Sequence, residues 1–119
     1  MKATILFAHG ARDPEWAQPI RAIRDAMLAR DPQAQIECAF LEFIAPLLPA
    51  AIDALARSEH DDIVIVPIFM AQTGHTKRDL PALLDAAQAR HPGLRLRVAT
   101  PIGEAPAVVA AIAAYALTA

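Results

Sequence analysis

Two of the four histidines in this 119-residue chain stand where strand-like runs end. His9 follows the apolar run Thr4-Ile5-Leu6-Phe7-Ala8. His75 follows the run Asp62–Met70 within a polar stretch, Ala71 to Arg78. Imidazole is largely neutral near pH 7, so it can take up a proton or ligate a metal. Glu42, at the end of the run Ile36–Leu41, is a third candidate. Two imidazoles and a carboxylate suit a first-row divalent ion and leave coordination positions open. Cobalt, nickel, iron and zinc all accept such donors, so the ligand types do not name the metal. Each residue has a plainer reading when taken alone. A histidine after a strand commonly caps it or sits in water, and Glu42 can be an exposed carboxylate before a helix.

The elements around these residues decide between the readings. Thr4–Ala8 is a continuous apolar run, the mark of a strand buried on both faces. Asp13-Pro14-Glu15 offers a helix start, followed by Trp16, Ile20, Ile23, Met27 and Leu28 at helical spacing, with Asp31-Pro32 as the stop. Pro19 is expected to kink the first turns of that helix. Ile36–Leu41 is a second strand and Pro46–Arg57 a second helix. Asp62–Met70 is the most strand-like stretch, with either a bulge or the strand's exit expected at Pro67. Asp79 is expected to cap a third helix through Arg90, with Pro81 in its first turn. Leu94–Ala99 is a fourth strand, and Glu104–Leu117 a last helix. Within it, the apolar run Val108–Ala116 is expected to pack against the rest of the domain.

Strand and helix thus alternate four times, with no linker or repeat, so residues 1–119 are expected to form one domain. The pattern implies an α/β three-layer sandwich: a four-stranded parallel sheet between helices. Right-handed crossovers favour the strand order 2-1-3-4. Ligands of such sheets bind beyond the carboxyl ends of the strands, where the order reverses. Here the reversal falls between strands 1 and 3, the strands that lead to His9 and His75. Neighbouring strands lie ~4.8 Å apart, so side chains rising from their ends can converge on one small ion. His60 and His91 fall at the opposite end of the sheet and are expected on the surface.

The residues beside the histidines add detail. Gly10 and Gly74 allow tight turns and close ligand approach. Arg12, Lys77 and Arg78 are either solvated loop charges or partners for the carboxylates of an acidic ligand. No glycine-rich phosphate loop is present. A net charge of −2, with no basic stripe or aromatic series, argues against a nucleic-acid partner. No apolar run reaches the ~18 residues of a membrane span, and Met1–Ala8 is too short an apolar run for a signal peptide. Cys38, the single cysteine, is expected to be a packed side chain in a reducing, cytoplasmic setting.

Several of these segments resemble a known family. His9-Gly10-Ala11-Arg12-Asp13-Pro14 resembles the HGSRDP opening of the CbiX/SirB family of small tetrapyrrole chelatases. Ala39-Phe40-Leu41-Glu42 is similar to the end of the family's second strand. Val66-Pro67-Ile68-Phe69-Met70 with Gly74-His75-Thr76-Lys77-Arg78-Asp79-Leu80-Pro81 resembles its PLFL…GGHVxxDIP segment, and Pro101-Ile102-Gly103 its PLG turn. The resemblance implies ATP-independent insertion of a divalent metal, Co2+ foremost and Ni2+ or Fe2+ in relatives, into sirohydrochlorin, with the metal as substrate and no permanent cofactor. It maps the metal-binding histidines onto His9 and His75 and an acidic catalytic position onto Glu42. Gly10, Arg12, Gly74, Lys77 and Arg78 fall beside the macrocycle. It also implies a homodimer whose two copies match the halves of longer chelatases. Ala11 stands where serine is usual, and Ala71-Gln72-Thr73 replaces a glycine-rich approach to His75. These departures keep an alternative open: a metal- or tetrapyrrole-binding paralogue without catalysis. A phosphatase using His9 as nucleophile fits less well, because Ala8 stands where such enzymes place arginine.

Overall fold

A computed structural model describes residues 1–119. Its centre is β1 (Lys2–Ala8), which pairs in parallel with β2 (Ile36–Phe40) on one side and β3 (Asp62–Pro67) on the other. The fourth strand, β4 (Arg95–Val98), extends the sheet beyond β3, giving the order 2-1-3-4. The alternation of side chains divides the core in two. Ala3, Ile5 and Phe7 face Leu48, Ile52 and Leu55 of α2 (Leu48–Arg57) and Leu80 of α3 (Gly74–Arg90). Leu6 and Ala8 face Ile20 of α1 (Gln18–Arg30), together with Ile36 and Phe40. Helices on both faces of a parallel sheet complete the three layers.

Prolines mark the element boundaries, and they do so differently from expectation at two places. Pro19 lies in the first turn of α1, where a missing N–H is harmless. In place of a kink, the chain makes a separate 3-10 turn, Pro14–Ala17, capped by the Asp13 side chain. At Pro67, β3 ends as the sequence suggests, and the Ile68 N–H then donates to the Phe7 carbonyl at 2.7 Å. Helix α3 begins five residues earlier than Asp79. Thr73 caps it by accepting the Thr76 N–H at 3.1 Å, and the buried Thr76 hydroxyl donates back to the Thr73 carbonyl at 3.0 Å. Pro81 therefore lies inside the helix, and Asp79 caps nothing. A strong threonine cap outweighs the loss of one interior N–H, which the proline rule alone does not weigh.

Two further expectations are corrected by burial. His60 is buried, with its Nδ1 lacking any partner, whereas His91 is half-buried and pairs with Asp53 of α2 at 2.7 Å. The last helix, α4 (Pro106–Thr118), has no buried residue. Its substantial neighbour is the 3-10 turn just before it, Ile102–Glu104. The apolar composition was a sound reason to expect burial, but the helix stands away from the sheet and none of its residues is buried.

Candidate metal site

The carboxyl ends of β1 and β2 run on side by side past the last strand residues. The Leu41 N–H donates to the Ala8 carbonyl at 3.0 Å, and the Glu42 N–H to the His9 carbonyl at 3.1 Å. His9 and Glu42 are therefore neighbours through the backbone. Gly10 makes this approach possible. Its φ is +91°, and a Cβ there would sit 1.9 Å from the Glu42 carbonyl oxygen. Only glycine meets both conditions.

The His9 side chain is half-buried and rests on Phe69, with ring centroids 4.6 Å apart and planes tilted by 37°. Phe69 is itself held edge-on against Phe7 at 5.8 Å. The Gly103 N–H donates to the Phe69 carbonyl at 3.1 Å, and a Cβ on Gly103 would lie 2.0 Å from the Met70 carbonyl oxygen. The Pro101-Ile102-Gly103 turn thus packs directly on the segment that supports His9.

His75 is in the first turn of α3, not in a loop, and its position follows from the Thr73 cap. Its Nε2 lies 3.0 Å from Asp79 Oδ2, one helical turn on. A carboxylate at one ring nitrogen orients the imidazole and leaves the other nitrogen available to an ion. Beside the pair, an apolar groove of about 350 Å3 is lined by Phe40, Leu41, Leu47, Leu48, Leu83 and Asp79, among others.

Of the basic residues, Arg12 is exposed with its guanidinium 4.9 Å above the Phe43 ring, a cation–π contact. Lys77 and Arg78 are exposed on α3. Gly74 adopts no left-handed backbone, and a Cβ there would meet nothing within 4 Å, so close packing does not require glycine at that position. No cluster of three or more His, Cys, Asp or Glu side chains is set to hold a metal ion. His9 and Glu42 form one half of the candidate site, while His75 is tied to Asp79. Cys38 is half-buried, and burial pushes its thiol pKa up, which disfavours the thiolate a nucleophile or metal ligand needs.

Sequence reasoning missed three contributors. Asp79 carried the right signal, an acid four residues after a histidine on a helix, but that spacing matters only if the helix starts at Gly74. Phe69 was part of a recognised strand end without a role of its own. Phe43 takes a left-handed backbone (φ +70°) that presents its ring to solvent beside Arg12. No local pattern announces that conformation.

A family model described as CbiX matches residues 3–118. Among curated relatives, a sirohydrochlorin cobaltochelatase of Priestia megaterium is 32% identical over 87% of this chain and 33% of its own length. One of Sulfurisphaera tokodaii is 34% identical over 87% of this chain and 81% of its own. This chain therefore spans a third of one such relative and most of another. Among solved structures, a putative cobalamin biosynthesis CbiX protein from Marinobacter aquaeolei superposes with a TM-score of 0.85 at 25% identity. It covers 99% of this chain and 96% of that one. The sirohydrochlorin chelatase SirB of Bacillus subtilis subspecies spizizenii, solved with cobalt, superposes with a TM-score of 0.79 at 26% identity. That match covers 95% of this chain and 48% of SirB.

Proposed function

This chain belongs to the CbiX family, and from that premise we propose that it is a chelatase inserting a divalent metal, cobalt foremost, into sirohydrochlorin without ATP. The observation that carries the reading is the His9–Gly10–Glu42 arrangement. A half-buried imidazole is held on Phe69 at the switch point of the sheet, locked by a glycine to the backbone of an exposed carboxylate. Relatives that act on sirohydrochlorin with cobalt support the substrate and the metal.

In this reading the metal is a substrate in transit. His9 and His75 take the ion from water and hold it with positions open toward the macrocycle. Insertion removes two pyrrole protons, and in this reading Glu42 and the imidazoles receive them. Sirohydrochlorin carries carboxylates around its rim, and Arg12, Lys77 and Arg78 pair with these. The macrocycle is large for one small domain, so the working form is a homodimer that encloses it between two copies. The departure at Ala71-Gln72-Thr73 has a structural reason: Thr73 caps the helix that carries His75. That reason favours an intact site over a paralogue without activity.

The test is anaerobic incubation of the protein with sirohydrochlorin and Co2+, Ni2+ or Fe2+, followed by absorbance. The expected result is a spectral change faster than the uncatalysed reaction, lost in His9→Ala and in His75→Ala. Binding of the macrocycle with no acceleration would replace this reading with a carrier. Full activity in both variants would refute the site.

A further inference from the structure

Phe43 occupies a position that suits neither its size nor its character. The Ile44 N–H donates to the Glu42 carbonyl at 2.9 Å, closing a three-residue γ-turn with Phe43 at its centre and φ +70°. This is the rare, strained hand of the turn, and a bulky side chain is an outlier there. The ring receives no burial in return, since Phe43 is 56% exposed. Its contact with the Arg12 guanidinium, at 4.9 Å, is an exposed cation–π pair and too weak to offset the strain. The surroundings hold the turn in place. The Glu42 N–H is tied to the His9 carbonyl, and the Glu42 carbonyl is pressed against Gly10. Strain that the neighbours over-determine is characteristic of ligand sites.

The placement of the ring says which ligand. Strands β2 and β3 flank β1, so their exits are about 10 Å apart with His9 between them. Phe43 follows β2. Past β3 stands Met70, 63% exposed, next to the Phe69 ring that carries His9. The imidazole therefore has an exposed apolar side chain on either side and the Arg12 cation at the rim. An ion enters a tetrapyrrole through one face of the ring. The protein must offer that face a flat apolar surface around the ion, with cations further out for the peripheral carboxylates.

We propose that Phe43 and Met70 form the ledge on which the macrocycle lies over His9, with Phe43 as the stacking residue that selects a flat, conjugated ring. Arg12 holds the Phe43 ring from one side and reaches a peripheral carboxylate from there. Met70, unbranched and polarizable, adapts to the other edge of the macrocycle. The inference rests on the chelation reading for the identity of its ligand.

Anaerobic equilibrium dialysis of the full chain against sirohydrochlorin tests it. Phe43→Leu keeps the apolar character and the strained backbone but removes the flat ring, and affinity should fall roughly 10–100-fold. Phe43→Trp should restore it. Stacking acts on the bound macrocycle before and during insertion, so KM should rise by the same factor in Phe43→Leu with kcat little changed. Titration with Co2+ alone should be unaffected in that variant. Phe43→Gly should lose the macrocycle as well, while its Tm holds or rises because the turn is relieved. Wild-type affinity in Phe43→Leu, no recovery in Phe43→Trp, or a fall in Tm of more than about 5 °C in Phe43→Gly would overturn the proposal. So would a changed mass by light scattering with macrocycle affinity intact, which would make Phe43 a contact between chains. Loss of macrocycle binding in Phe43→Leu, from a wild type that binds but inserts no metal, would refute the chelatase reading and leave the ledge standing.

Discussion

Replacing Gly10 with alanine creates two conflicts at one atom. At φ +91° an L-residue is strained by about 1–2 kcal/mol. The new methyl would also sit 1.9 Å from the Glu42 carbonyl oxygen, which is backbone and cannot swing aside. Relieving the overlap means separating the His9 and Glu42 segments, with a packing cost of about 1–3 kcal/mol. Together these predict a loss of about 2–5 kcal/mol. At this chain length that is a fall in Tm of roughly 10–20 °C, measured by circular dichroism at fixed protein concentration. Cobalt affinity should fall at least tenfold, because the separation displaces His9 from Glu42. Gly74→Ala is the matched control. That position has open space and sits in a helix, so stability should hold or rise by up to about 1 kcal/mol. If Gly10→Ala stays within about 1 kcal/mol of wild type, the two segments are not locked as described, and the account of the site's rigidity fails.

Other perturbations probe the same framework. Thr73→Ala removes the cap of α3 and should cost about 1 kcal/mol, with weaker cobalt binding by titration because His75 lies in the freed turn. Burial opposes ionisation of Asp53, but hydrogen bonds from His91 and Arg90 outweigh it and hold its carboxyl below the usual value. A depressed folded-state pKa stabilises above the unfolded value and is lost as pH falls through the folded one. Asp53→Asn should therefore cost about 1 kcal/mol at pH 7, and urea titrations should show the difference vanishing well below pH 3.8. His60 carries a buried, unpartnered Nδ1, so His60→Leu should leave stability unchanged or raise it. A loss above about 1 kcal/mol would mean that nitrogen has a partner.

The sheet was legible because its evidence is redundant. Three largely apolar runs and one alternating stretch, Leu94–Ala99, fix strand number, and chirality then leaves one natural order. His9 was legible for the same reason, since a residue after a central strand can lie only at the switch point. What failed depended on competition between local signals. Pro81 argued for a helix start near Asp79, but the Thr73 and Thr76 hydroxyls make a better one, and His75 moved from loop to helix with it. The His75–Asp79 pair became visible only then. His60 was misplaced because helix-to-strand turns are usually exposed, and this one folds under the α2 terminus, where the His60 N–H donates to the Leu55 carbonyl at 3.0 Å. Helix α4 was misjudged for a different reason. Composition states that a helix wants burial, whereas its actual exposure depends on where the preceding turn carries it.

The central claim is that His9 and His75, reached from different elements, act on one metal ion. A double-mutant cycle tests it most directly: single-turnover cobalt insertion into sirohydrochlorin by wild type, His9→Ala, His75→Ala and the double variant. Residues that hold one ion act as a unit, so each single variant should lose nearly as much rate as the double. Additive losses, with each histidine contributing independently, would contradict a shared metal site.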